Sequence, residues 1–328
     1  MRRFGSFLSC LLGLAQTACS GAQGSSTATR TTTGHPAESP PPPAPIQVAI
    51  TVDDLPAHGP LPPKLTRIAI ADEILSAFKK HGLTGVYGFV NAKKVDDVPE
   101  DEAVLRRWIA AGHLLGNHSY SHPSLHKTEV PEYLADIEKN EALLGRLQPS
   151  GDYKLFRYPF LFEGDTLEKF DAVRAYLGQH GYTVAEVTID ADDWAFNPPF
   201  ARCAERGDAP AMAQLHRDFV EAHVEELSRM RELTHTLSGR EVPQVVLLHI
   251  GAADAAAMDD LLTAYEKEGV QWIGLRAALS DPFYASDRRI AYRAGAAFPY
   301  VIAKARGVKM PPPVFARGLE ERLEAVCR

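Results

Sequence analysis

The sequence predicts an α/β protein in which a parallel sheet is covered by helices. Two observations carry this. From Ile46 onward, seven short apolar runs of strand length alternate with longer stretches whose apolar residues recur at helical spacing. Titratable residues gather where those runs stop, the place where the C-terminal ends of parallel strands hold a site. Alternation alone leaves a closed barrel and an open doubly wound sheet both standing.

The first run, Gln47 to Val52, follows a proline and ends abruptly at Asp53-Asp54, which suits a strand buried on both faces. A helix is predicted from Leu65 to His81, stopped at Gly82, and then a strand over Gly85–Val90. The next helix, Glu102 to Ala111, ends at Gly112 and leads into the strand His113–Asn117. A helix over Val130–Leu147 precedes the fourth strand, Lys154–Tyr158. Thr166 to Gln179 is helical, Thr183 to Ile189 extended, and Ala211 to Leu237 a long polar helix. Val245–His249, a helix from Ala255 to Glu268 and the strand Val270–Ile273 complete the pattern.

What precedes this region differs in kind. Arg2 and Arg3, an apolar stretch from Phe4 to Ala15 and small residues around Cys19 form an export signal, too short to span a bilayer as a mature helix. Thr17-Ala18-Cys19 resembles the end of a bacterial lipobox, with Gln16 where Leu is usual. The expectation is therefore a signal peptide over residues 1–18, cut before a lipidated Cys19, with cleavage after Ala22 as the rival. Residues 19–45 are rich in Ser, Thr, Gly and Pro and cannot bury enough apolar surface to order, so a disordered tether is expected. Beyond it, 45% apolar content across 328 residues is ample for a real core. A formal charge of -7 without a basic block argues against nucleic acid as a partner. Any membrane contact is expected only through the N-terminal lipid, and a monomer is the default. Cys203 and Cys327 either pair, as an oxidising compartment permits, or stay free.

The strand ends carry the chemistry. Two adjacent carboxylates, Asp53 and Asp54, repel each other unless a cation shares their charge, in which case one ligates and the other accepts a proton. The third strand runs into His118-Ser119-Tyr120-Ser121-His122, two imidazoles four residues apart, the spacing that one ion needs. Pro123 disfavours the α conformation at His122, so an isolated turn is expected there. Arg157 closes the fourth strand and is a natural partner for a carboxylate that must stay ionised. Asp190-Ala191-Asp192-Asp193-Trp194 follows the fifth, and His249 ends the sixth. Alone, each has an ordinary explanation as a helix cap, a surface charge or a satisfied core histidine. Five such coincidences on one rim do not.

The order Thr51-Val52-Asp53-Asp54, His118 to His122, Arg157-Tyr158-Pro159-Phe160, Asp190 to Trp194 and Leu247-Leu248-His249 resembles the five motifs of polysaccharide deacetylases, the NodB-homology group or carbohydrate esterase family 4. The resemblance covers residues 46–280. It implies a distorted (β/α) barrel of seven parallel strands and a metal triad of Asp54, His118 and His122, holding Zn²⁺ with Co²⁺, Mn²⁺ or Ni²⁺ as alternatives. It implies Asp53 as the base, His249 as the acid, and Arg157 as the group that orients Asp53. Asp193 would tune His249, with Asp190 as the alternative. The Phe160 backbone N–H would serve the oxyanion, and Trp194 and Leu247 would wall the acetyl pocket.

Leu55-Pro56 stands where the family has Gly-Pro, which puts a different side chain at the expected groove wall. His126 is expected to be an ordinary polar neighbour of the site. The 197–241 segment is read as a helical insertion; it and the 281–328 extension are each either a lid over the groove or packing on the domain, packing being the preferred reading for the extension. The implied activity is removal of N-acetyl groups from an extracytoplasmic acetylated glycan, peptidoglycan or another N-acetylglucosamine polymer. An O-acetyl esterase, a small-molecule amidohydrolase and a non-catalytic glycan-binding protein are the competing readings.

Overall fold

The structure is a computed structural model that describes residues 45–313 and 317–328. The export signal, Cys19 and nearly all of the tether lie outside the described residues. Seven strands are present among those described: β1 (Ile46–Leu55), β2 (Tyr87–Val90), β3 (Leu114–Asn117), β4 (Leu155–Phe156), β5 (Thr183–Val184), β6 (Gln244–His249) and β7 (Val270–Trp272). All their pairings are parallel, in the order β5-β4-β3-β2-β1-β6 with β7 also on β1.

Helices connect the strands: α1 (Arg67–Lys80), α2 (Ala92–Asp97), α3 (Glu102–Ala110), α4 (Val130–Leu147), α5 (Leu167–Gln179), α6 (Asn197–Arg206), α7 (Ala209–Ser238), α8 (Ala252–Lys267) and α9 (Leu275–Leu279). Two more, α10 (Phe298–Arg306) and α11 (Leu319–Ala325), lie in the C-terminal extension. Several begin where the sequence supplies a cap: Thr66 accepts from the Ala69 N–H and Thr166 from that of Lys169. Among the described residues no helix is long and apolar enough to cross a membrane.

The sheet is curled rather than flat. The predicted fifth strand stops after Val184, five residues earlier than expected, and the chain rejoins the sheet at Ile189, which bridges Val246 of β6. Hydrogen bonds from Thr188 N to Val245 O (2.9 Å) and from Leu247 N to Ile189 O (3.0 Å) fix that contact. It brings the two edges of the sheet together, which decides between the closed and open arrangements and gives the distorted barrel.

Side-chain alternation along β1 sorts the interior from the helical layer. Val48, Ile50 and Val52 join the large outer core with Ile70, Ile74 and Phe78 of α1 and Met258, Leu261 and Leu262 of α8. Ala49, Thr51 and Asp53 occupy the alternate positions, and the inner cluster holds Ala49 with Tyr87, Phe89, Leu155 and Val245.

The 197–241 segment contains all of α6 and α7, and Leu215, Phe219, Leu227, Met230 and Leu233 of α7 are buried in the outer core. The extension buries Phe298 and Ile302 against Val242 and Phe283. Cys327 is bonded to Cys203 of α6, so the open question of the two thiols is answered by a disulfide.

Candidate active site

The rim of the barrel is built by a break in the β1 pleat. Successive strand residues point to opposite faces, so Asp53 and Asp54 would diverge in a regular strand. Asp54 instead takes φ 70°, and the pairing of β1 with β2 shifts register between Val52 and Leu55. Both carboxylates thereby reach one cavity of about 500 Å³, lined also by His118, His122, Phe160, Trp194, Leu247 and His249.

His118 and His122 come together without a helical turn. Ser119 and His122 both adopt left-handed backbone (φ 64° and 58°), the latter with Pro123 excluding the α region. The Nε2 atoms of His118 and His122 stand 3.8 and 3.6 Å from Asp54 Oδ1. Donors at about 2.0–2.2 Å from one tetrahedral zinc sit roughly 3.3–3.5 Å from each other, so the three atoms match the spacing of a shared ion closely. His118 Nδ1 lies 2.8 Å from the Arg157 carbonyl oxygen, to which it must donate, leaving the Nε2 lone pair to face Asp54. Burial holds both imidazoles below their ordinary pKa, hence neutral and able to ligate. Asp54 Oδ1 is buried without a hydrogen-bond partner, although the Lys94 ammonium stands 3.0 Å away, off the hydrogen-bonding direction. An ionised oxygen facing two imidazole lone pairs fits a divalent cation, with the Lys94 ammonium as a second positive charge beside it.

Asp53 Oδ2 also lies 3.8 Å from His118 Nε2, but the hydrogen bonds of Asp53 go to Arg157. Arg157 donates from one nitrogen to both Asp53 oxygens at 3.2 Å, from another to Thr51 Oγ1 at 3.1 Å, and from Nε to Ala185 O at 2.7 Å. The guanidinium is 1% exposed and lies 4.7 Å from the centre of the Phe89 ring. Burial pushes the Asp53 carboxyl up to about 6 in the absence of a cation, against the opposing pull of Arg157.

β6 lies beside β1 with His249 opposite Asp53, so the two side chains are neighbours through strand register alone. Asp193 receives the His249 backbone N–H on Oδ2 at 2.6 Å and lies 2.9 Å from His249 Nδ1 through Oδ1. A carboxylate only accepts, so Nδ1 carries the proton and Nε2 is left for the cavity. Between the two candidates for this partner, the geometry selects Asp193. Asp190 instead accepts from the Asp192 N–H at 3.3 Å, a consequence of the left-handed Asp192 (φ 53°) that turns the chain between them.

Phe160, also left-handed (φ 59°), and Trp194 stand at the mouth with half-exposed rings, and Leu247 is buried at the wall. His126 stacks on Phe162 with ring centres 4.0 Å apart and belongs to neither of the two candidate metal groups among the described residues.

Two expectations need correction. Leu55 does not form a groove wall: it is fully buried in the core, and Gly88 makes room for it, since a Cβ there would lie 2.4 Å from the Leu55 side chain. The extension does more than pack, because Gly295 lines the cavity and its backbone abuts the Phe160 carbonyl so closely that a Cβ would come within 2.1 Å of it. Sequence reasoning also missed His58, whose Nδ1 is 2.7 Å from Asp54 Oδ2, together with Lys94 and Asp254, which the Asn197 amide holds at 2.9 Å beside Asp193. Only the short interval from Asp54 to His58 offered a signal.

With this geometry, comparison with known proteins becomes informative. Residues 41–185 match the family model described as polysaccharide deacetylase. That match spans less than half of the chain, so it marks a likeness to polysaccharide deacetylases over this segment. The matched segment contains Asp53, Asp54, His118, His122, Arg157 and Phe160; Asp193 and His249 lie beyond it, where the structure brings them to the same cavity.

Among curated proteins, a peptidoglycan-N-acetylglucosamine deacetylase of Bacillus cereus is 28% identical over 148 residues, 45% of this chain and 46% of that protein. A chitin deacetylase of Arthroderma benhamiae is 27% identical over 154 residues, 46% of this chain and 36% of that protein. The chain thus spans less than half the length of these two relatives. A CE4 family pseudoenzyme from Bacillus anthracis, at 17% identity, covers 73% of this chain and 66% of its own with a TM-score of 0.50. That likeness shows the shared fold.

Proposed function

We propose that the chain is a metal-dependent hydrolase that removes N-acetyl groups from an extracytoplasmic polysaccharide, peptidoglycan or another N-acetylglucosamine polymer. The observation that carries this reading is the different partnering of two adjacent carboxylates: Asp54 alone stands beside both neutral imidazoles, and Asp53 alone is held by Arg157 next to His249. The two curated relatives described above are named for acetylated glucosamine polymers, which supports the substrate class.

Asp54, His118 and His122 would hold the ion, Zn²⁺ suiting a set of two nitrogens and one oxygen and Co²⁺, Mn²⁺ or Ni²⁺ being alternatives. A divalent cation bound there supplies a Lewis acid for the acyl oxygen and lowers the pKa of water. Asp53, held by Arg157, takes the proton of the attacking water. The Phe160 N–H donates to the developing oxyanion. His249, its Nδ1 fixed on Asp193, hands a proton from Nε2 to the departing amine. Trp194 and Leu247 confine the acetyl methyl.

The domain limits of 46–280, the signal over 1–18 and a lipidated Cys19 belong to the same proposal, since they put the enzyme where its substrate is. Fatty-acid labelling that leaves Cys19 unmodified would remove the anchor. The activity test offers purified protein a chitin oligomer, peptidoglycan and acetylxylan and measures acetate. Release from the first two, abolished by chelator and lowered about 10²–10⁴-fold in Asp53→Asn and His249→Ala with the metal still bound, is the expected result. Full activity in Asp53→Asn would refute the base assignment, and release from acetylxylan alone would favour an esterase.

A further inference from the structure

Beyond the residues given roles above, one side chain reaches the centre of the site. His58 Nδ1 lies 2.7 Å from Asp54 Oδ2, while His118 and His122 approach the other oxygen, Oδ1. Among the described residues two groups have ligand atoms mutually within 4.8 Å: Asp54 with His118 and His122, and Asp54 with His58 and His249. The second group raises the question of a second ion bridged by Asp54.

The distances decide against it. Donors sharing one zinc are separated by roughly 3.3–3.5 Å, whereas 2.7 Å is a hydrogen bond with no room for a cation between the atoms. Lys94, 3.0 Å from Asp54 Oδ1, and Arg157 beside Asp53 already add two positive charges to the rim.

We propose that His58 is a positioning residue for the cation site: its Nδ1–H grips Asp54 Oδ2 and so presents Oδ1 to the ion in a single orientation. The carboxylate has no proton to give, so the hydrogen must be on Nδ1. The turn that carries His58 is itself held. Arg67 donates to the His58 and Gly59 carbonyls at 2.8 Å each, and the His58 N–H reaches Ile250 O at 3.3 Å. Gly59 is left-handed (φ 64°) and lies against Asn197, where a Cβ would come within 2.8 Å. A carboxylate free to rotate loses orientational entropy when it ligates; one already bonded on its far oxygen does not.

This inference rests on the cation site of the preceding section and not on which bond the enzyme cleaves, so its test reads the ion directly. The full chain is stripped with chelator, titrated with Zn²⁺ against a chromophoric competitor, and loaded with Co²⁺ for its visible spectrum. His58→Ala and His58→Phe should bind about 10–100-fold more weakly and show an altered Co²⁺ spectrum. His58→Asn, whose amide nitrogen can stand where Nδ1 stands, should recover affinity to within a few-fold. Melting of the metal-free proteins separates a folding defect from a lost ligand contact, and the Asn variant keeps the test open should the Ala variant not fold.

Wild-type affinity in His58→Ala overturns the proposal, as does an Asn variant as weak as Ala. Two ions per wild-type chain with one lost in His58→Ala would make His58 a ligand, also against it. The expected affinity series with no acetate released by the wild type would remove the deacetylase reading and leave this inference standing. Acetate release with His58→Ala affinity intact would do the reverse. A wild-type chain that takes up no cation removes both.

Discussion

Asp193 and Asp254 are fully buried side by side next to His249, and burial raises both carboxyls, Asp193 to about 7 and Asp254 well above its ordinary range. In the unfolded chain both ionise in the ordinary carboxylate range, so over neutral pH the folded pair holds a proton, on Asp254, that the unfolded chain has released. Their contribution to stability is complete below that range and falls as pH rises through the folded values. Asp254→Asn, which retains a neutral side chain beside Asp193, should therefore melt higher than the wild type at pH 8. The difference should be a few °C and should shrink toward pH 4. A gap that stays constant with pH would show that Asp254 does not carry the proton. Of the individual side chains, the sequence made Asp53, Asp54, His118, His122 and His249 legible because each sits at the end of an apolar run. It left Asp190 and Asp193 unresolved because the left-handed Asp192 between them has no pattern to betray it. His58 and Asp254 were hidden for a related reason, since a turn residue and a first-turn helix residue look like any others until the fold sets them beside Asp54 and Asp193.

At the level of elements, the extension bears on the chemistry through one glycine. Its Arg288 is buried between Glu163 and Glu186, which Arg174 also contacts at 2.7 and 2.9 Å, so the strap leading to Gly295 is anchored by four charges. Gly295→Ala should push the Phe160 carbonyl aside and, through the Phe160 Cα, shift the preceding peptide, which bears the Phe160 N–H. Acetate release should fall at least about tenfold, as for a weakened oxyanion donor, with Zn²⁺ affinity unchanged. Undiminished turnover in that variant would place the oxyanion donor elsewhere. Long helices such as α4 and α7 could be read from periodicity and caps. The short α2 that carries Lys94 could not, because six residues hold too few turns for a period to emerge. The fifth strand was over-extended for a physical reason: Glu186 interrupts its apolar run to meet the two arginines, and pairing stops at Val184.

Across the whole molecule, the Cys203–Cys327 bond spans 124 residues and ties the chain after α11 to α6. Loops of this length gain most from cross-linking, typically about 2–4 kcal/mol, so Cys203→Ser with Cys327→Ser should lower Tm by roughly 5–10 °C. An unchanged Tm would mean that the Arg202 hydrogen bonds to Leu323, Glu324 and Val326 carbonyls suffice to dock that segment. The α/β class followed from alternation, but closure did not, since it rests on the single Ile189–Val246 bridge, which leaves no trace in composition or period.

Arg157 grips Asp53 with its guanidinium and steadies His118 with its own carbonyl oxygen. A slide of β4 by a fraction of an ångström would therefore unsettle proton acceptance and ion capture at once. Neither half of the site can be retuned while the other stays still, so on the proposed function substitutions that adapt it to a new glycan should fall on the mouth, around Phe160 and Trp194, and leave the floor alone.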